Sequence, residues 1–293
     1  METISISNLS KSFGARTVFS GLNTNIGKGR VVALLGRNGA GKSTLLSILN
    51  GQQQPTSGSS ATLGIDPEVD AARLRQSCVL VSEDCHLYTW MNARMLESTF
   101  SSLYPRWNHD IYTTCLTQFK IDAEQKISTF SKGMRRKLQL AFALAADPEV
   151  LLLDEPFGGI DVVARDEILN SLIESLVEKG VTVVLSSHEL HDIAGVCDHV
   201  LILSGGRLVV DCSRDELSSR IRKVVVRLEA AAEAVPAHPS ILSARTNGTE
   251  LELVLKDFSE EELAKILASY RVKSHSVSNL SLEELFKAIT AGE

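Results

Sequence analysis

The run Gly36-Arg37-Asn38-Gly39-Ala40-Gly41-Lys42-Ser43-Thr44 matches G-x-x-x-x-G-K-[ST]. No other stretch constrains the fold as strongly, because this motif has meaning only between a strand and a helix. The chain supplies both: the apolar segment Val31–Leu35 precedes the loop, and the helical run Thr44–Asn50, which Gly51 can end, follows it. Glycines at these positions let backbone N–H groups turn inward around an anion, and the helix N-terminus adds partial positive charge. In that setting Lys42 reaches the β and γ phosphates of a nucleoside triphosphate, and the Ser43 hydroxyl ligates Mg²⁺.

A second pair of residues supports the same chemistry. Asp154 ends the apolar run Val150–Leu153, and a carboxylate at the end of a buried strand needs compensation, which a magnesium shell provides. Glu155, next in sequence, is placed to orient and deprotonate an attacking water. Arg30–Leu35, Cys78–Ser82, Val150–Leu153, Val181–Ser186 and Val200–Leu203 all read as buried strands of a mainly parallel sheet. The segment at about 84–146 reads as a helical insertion and carries both tryptophans, Trp90 and Trp107.

After about Asp215 the pattern changes. Val224, Val226 and Leu228 alternate, as do Leu251, Leu253 and Leu255, and Asn247-Gly248 suits a tight turn before the second run. Ser259 with Glu262, and Ser281 with Glu284, read as capping boxes ahead of amphipathic helices. The fold class is therefore α/β: a P-loop NTPase core with an inserted helical subdomain, plus a small C-terminal α+β domain. The boundaries fall at 1–214 and 215–293.

Composition narrows the class further. Among 293 residues, 30 are basic and 36 acidic, a net of −6, which gives no electrostatic case for nucleic acid. No apolar run reaches membrane-helix length, and the N-terminal stretch lacks a signal core, so a cytoplasmic protein is expected. The five cysteines form no C-x-x-C pair and read as reduced thiols, and H-E-L-H at 188–191 lacks the spacing of a zinc helix.

With these motifs in place, residues 1–214 resemble the ATP-binding subunits of ABC transporters. The resemblance implies that Phe13 stacks on adenine, with an ordinary core residue as the lesser alternative. Ser131-Lys132-Gly133-Met134, 23 residues before Asp154, is similar to the family's signature, usually S-G-G-Q. It keeps Ser131 and Gly133, which would contact the γ-phosphate, while Ser131 also suits a helix cap. Arg135, Arg136 and Lys137 then read as solvated charges. Asp161 corresponds to the acidic loop at the dimer interface, and His188, 34 residues after Asp154, to the switch histidine. The family's glutamine after the second core strand is replaced by Glu83, or by Asp84 if the register slips by one; a carboxylate there could still touch Mg²⁺.

The resemblance also implies partners. Two ATPase subunits, identical or homologous, meet head to tail, each completing the other's site with its signature. ATP closes this dimer and drives separate integral membrane permease subunits, so the chain would sit peripherally on the inner face of the cell membrane. Tyr88, Trp90, Tyr104 and Trp107 could form the docking groove or belong to the core. The S-K-G-M signature and Tyr104-Pro105-Arg106-Trp107 point to a bacterial subgroup paired with export-type permeases. The alternative is a soluble ABC ATPase that drives remodelling or assembly without a membrane partner.

Overall fold

The computed structural model describes residues 2–82, 87–156, 158, 176, 178–187, 195–231, 238–268 and 270–290. The chain divides into two compact units, Met1–Asp211 and Cys212–Glu293.

The first unit opens with the long strands β1 (Glu2–Phe13) and β2 (Arg16–Gly27), then β3 (Val31–Leu35) and helix α1 (Lys42–Leu49). It continues through β4 (Ser57–Thr62), α2 (Ala71–Leu74) and β5 (Cys78–Val81). Helices α3 (Ala93–Phe100), α4 (His109–Gln118) and α5 (Lys132–Ala145) follow, and then β6 (Val150–Asp154), β7 (Thr182–Ser186), β8 (His199–Ser204) and β9 (Arg207–Ser213). Six strands form one sheet in the order β5-β6-β7-β3-β8-β9, and β5, β6, β7, β3 and β8 pair in parallel. Every residue of β3, β6 and β7 is buried, as a sheet covered on both faces requires. That is why these strands read as unbroken apolar runs. Because β6, β7 and β3 are neighbours, the loops leaving their C-terminal ends converge, which is where ligands bind in open parallel sheets.

A second sheet, β2-β1-β4, is antiparallel and has no counterpart in the sequence reading. Its β4, Ser-Gly-Ser-Ser-Ala-Thr, carries almost no large apolar side chain, so nothing in its pattern marks a strand. Backbone pairing with β1, rather than its own side chains, fixes it.

The insertion is largely helical, as expected. Asn92, Asn108 and Ser131 cap α3, α4 and α5 through their side-chain oxygens. Trp107 packs against Phe142 at 4.7 Å and Tyr112 at 5.3 Å between ring centroids, and its Nε1 donates to Glu97 Oε1 at 3.0 Å. Trp107 is therefore a packing residue of this insertion. Arg106 donates to the Asp147 carbonyl and pairs with Glu149, so Tyr104-Pro105-Arg106-Trp107 has a structural explanation. Arg136 corrects the reading of its triplet as solvated charge. It is buried, donates to the Ser82 carbonyl at 2.8 Å and to Gln139 Oε1 at 3.2 Å, and so ties α5 to the end of β5. Arg135 and Lys137, on either side, are half-buried.

The second unit holds β10 (Arg222–Leu228), β11 (Ile241–Asn247), β12 (Glu250–Leu255) and β13 (Val272–Asn279), in the antiparallel order β11-β12-β10-β13. The alternating residues of β10 and β12 form its core with Leu263, Ile266 and Leu267 of the helix Glu260–Leu267. Asn247 pairs with Glu250, so the tight turn is Gly248-Thr249, one residue later than expected; Gly248 takes the left-handed conformation it needs.

Of the two capping boxes, that at Ser281 is reciprocal. Its Oγ accepts from the Glu284 N–H at 3.2 Å, and its own N–H donates to Glu284 Oε2 at 2.9 Å. At Ser259 only the first half forms, because the Glu262 carboxylate bonds Ser240 instead. The Ser281 N–H holds the Glu284 carboxyl below its ordinary range, so this contribution is present above the usual carboxylate pKa and fades as pH falls through the lowered value. Replacing Ser281 by Ala should cost about 1 kcal/mol, read as a lower urea midpoint for this unit.

Candidate active site

Two glycines make the phosphate loop possible. A Cβ on Gly36 would meet the Leu203 carbonyl oxygen of β8 at 2.7 Å, so only glycine lets the loop leave β3 this close to its neighbour. Gly41 sits at φ 104°, and a Cβ there would stand 2.7 Å from Val18 Cγ1 of β2. Gly41 is also the N-cap of α1 and offers no side chain to the first turn, so the helix's N-terminal N–H groups face the loop interior. Lys42 is 6% exposed, and its Nζ donates to the Gly36 carbonyl at 2.8 Å and the Arg37 carbonyl at 3.4 Å. Its ammonium thus reaches across the loop to two carbonyls, acceptors that a phosphate outcompetes.

The two acids stand at the end of β6. Asp154 is buried, and its Oδ1 accepts from Ser186 Oγ at 2.6 Å, across the β6–β7 pair in which these residues are partners. Glu155 takes φ 49°, uncommon for a residue with a side chain. Its N–H donates to both the carbonyl and the Oγ of Ser186, each at 3.2 Å, which holds the bend. The chain turns sharply at the strand end, and the consecutive side chains of Asp154 and Glu155 both reach one cleft.

That cleft has a volume of about 540 Å³, and Phe13, Lys42, Ser43, Thr44, Asp154 and Glu155 line it. Asn38, Gly39 and Gly41 complete the loop's share of the wall. Phe13 is 52% exposed, which excludes its reading as a core residue; Lys11 Nζ lies over one face of its ring at 4.8 Å from the centroid, and a base would take the other. The Ser43 hydroxyl and the Asp154 carboxylate are hard oxygen donors on one cleft, a set that fits Mg²⁺ better than softer metals. Among the described residues no three His, Cys, Asp or Glu side chains converge as a metal cage, and Mg²⁺ needs none when phosphates and water complete its shell.

Two other expected residues, Ser131 and Gly133, lie elsewhere. Ser131 is exposed at the start of α5, where its Oγ accepts from the Met134 N–H at 3.1 Å; neither it nor Gly133 lines this cleft. Glu83, with its alternative Asp84, and Asp161 and His188 lie outside the described residues. Sequence reasoning missed Ser186, which organises both acids, and Arg16, which also lines the cleft. Ser186 carries no motif of its own; the only signal was its place at the end of a predicted strand.

In the insertion, Tyr88 and Tyr104 line an apolar groove of about 240 Å³ with Leu103 and Phe142, and Trp90 is 61% exposed. No helix among the described residues is long and apolar enough to cross a membrane.

Comparison with known proteins points the same way. A family model described as ABC transporter matches residues 19–158. The chain is 30% identical over 290 residues to the linearmycin resistance ATP-binding protein LnrL of Bacillus subtilis (strain 168), covering 94% of this chain and 92% of that one. It is 34% identical over 220 residues to the lantibiotic transport ATP-binding protein SrtF of Streptococcus pyogenes, covering 72% and 91%. A solved structure described as the ATP-binding subunit of an ABC transporter aligns with a TM-score of 0.68 at 26% identity, over 74% of this chain and 92% of its own.

Proposed function

Because this chain belongs to the family of ABC transporter ATP-binding subunits, we propose that its cleft carries out ATP hydrolysis with Glu155 as general base and Lys42 as the main phosphate-binding cation. The chain is an ATPase of this family. The observation that carries the assignment of roles is the single cleft shared by Phe13, Lys42, Ser43, Asp154 and Glu155. Phe13 offers a face to adenine. Backbone N–H groups of residues 36–44 and the N-terminus of α1 surround the phosphates. Ser43 and Asp154 would hold Mg²⁺, which when bound neutralises charge on the β- and γ-phosphate oxygens. Glu155 takes a proton from water, while its backbone bonds to Ser186 fix where the carboxylate stands. Positioning and charge stabilisation dominate such a reaction.

Ser131 and Gly133 act in this reading on the γ-phosphate held by a second subunit, identical or homologous. Supporting this, Ser131 is exposed and stands away from its own chain's cleft. Asp161 and His188 serve at that interface and γ-phosphate, and Glu83 serves as a magnesium contact. Residues 1–214 form the ATPase domain, with the helical subdomain at about 84–146, and 215–293 form an accessory domain.

The apolar groove lined by Tyr88 and Tyr104, with Trp90 exposed in the same insertion, receives a membrane permease, which places the chain peripherally on the inner membrane face. The S-K-G-M signature favours export as the direction. Co-purification of the tagged protein from its native host in mild detergent tests this reading. A polytopic membrane protein in stoichiometric amount is expected. Recovery of soluble partners alone would replace it with a remodelling ATPase.

A further inference from the structure

The hairpin that carries Phe13 also carries a cation that the phosphate-loop motif leaves unexplained. Strands β1 and β2 are joined by Gly14-Ala15, and Phe13 and Arg16 face each other directly across the turn. Directly opposed residues leave an antiparallel pair on the same face, so ring and guanidinium project together. Both line the cleft with Lys42, Asp154 and Glu155. A Cβ placed on Gly39 would stand 4.0 Å from Arg16 Nη2, so the guanidinium overhangs the apex of the phosphate loop.

What sets this arginine apart is its place on the cleft with no carboxylate partner among the described residues. Arg30, Arg94, Arg106 and Arg220 each pair with a carboxylate. Arg16 is exposed and makes no hydrogen bond or ion pair with any described residue, although two carboxylates line the same cleft. A planar fork of donors held at the rim of a cleft whose floor already binds anions suits a phosphate chain. Base stacking, by contrast, is already provided for by Phe13 on the opposing strand.

The geometry points to Arg16 as a second substrate-binding cation, which donates to the phosphate chain of ATP from the cleft rim while Lys42 holds it from within the loop. This rests on the ATP reading above, and it adds a contact contributed by the hairpin, outside the phosphate loop. It makes the affinity depend on how many phosphates the nucleotide carries. Lysine at this position would keep the charge and lose the fork.

The test uses the full chain with Arg16→Ala, Arg16→Lys and Lys42→Met, and measures ATP and AMP affinity by competition with a fluorescent ATP analogue. Arg16→Ala should weaken ATP by about tenfold and AMP by less than about twofold, with Arg16→Lys recovering part of the loss. KM for ATP should rise with kcat within about twofold of wild type, as for loss of a contact shared by ground and transition states. Equal weakening of ATP and AMP, or unchanged ATP affinity in Arg16→Ala, overturns the assignment. If Lys42→Met binds ATP as the wild type does, the reading of the cleft itself fails instead.

Discussion

Replacing Glu155 by Gln is expected to leave ATP binding near wild type while lowering turnover by about 10²–10⁴-fold. The separation follows from what the residue does in the structure. Its contacts with Ser186 are made by the backbone N–H, so they survive the substitution. Glutamine matches glutamate in size and faces the same φ of 49°. What disappears is the basic carboxylate on the cleft wall. Because ATP then persists between subunits, the variant should run as a dimer on gel filtration with ATP and as a monomer without it. Turnover within tenfold of wild type would remove Glu155 from the role of base.

Lys42→Met should produce the second large effect, a loss of ATP affinity of about a hundredfold, within the range for a hydrogen bond between charged groups. Methionine fills much of the lysine's volume, and the lysine is nearly buried, so packing around the loop is largely kept. Without nucleotide the variant should lose little melting temperature, because the nearly buried ammonium has a desolvation cost that its bonds to the Gly36 and Arg37 carbonyls must offset. With ATP present the wild type should melt higher than the variant, since its tighter binding gives it the larger ligand stabilisation. Thermal melts with and without ATP check both halves. An ATP-dependent stabilisation equal to that of the wild type would show that Lys42 does not hold the phosphates.

Much of the site was legible because its parts are contiguous or end apolar strands. The loop of residues 36–44 announces itself by glycine spacing, and Asp154-Glu155 by following an all-buried strand. What escaped sequence reading came from distant pairings. Ser186 matters because β7 lies beside β6, and Arg16 because a hairpin brings it over Gly39. Arg136 read as one of three surface charges until the packing of α5 placed it under the Ser82 carbonyl. Strands β1, β2, β4, β9, β11 and β13 were not read from the sequence, and for β4, β11 and β13 the reason is that they have exposed or polar faces and so no apolar period.

The sequence by itself determined the phosphate loop, its flanking strand and helix, the acidic pair, the buried strands of the main sheet, and the caps at Ser259 and Ser281. These depend on interactions within a few residues or on burial that marks every residue of a strand. Only the tertiary structure decided that β6, β7 and β3 are neighbours, so that Lys42, Asp154 and Glu155 share one cleft, and that Phe13 faces that cleft and not the core. Strand order and side-chain direction are set by contacts between residues far apart in the chain, and no local pattern encodes them.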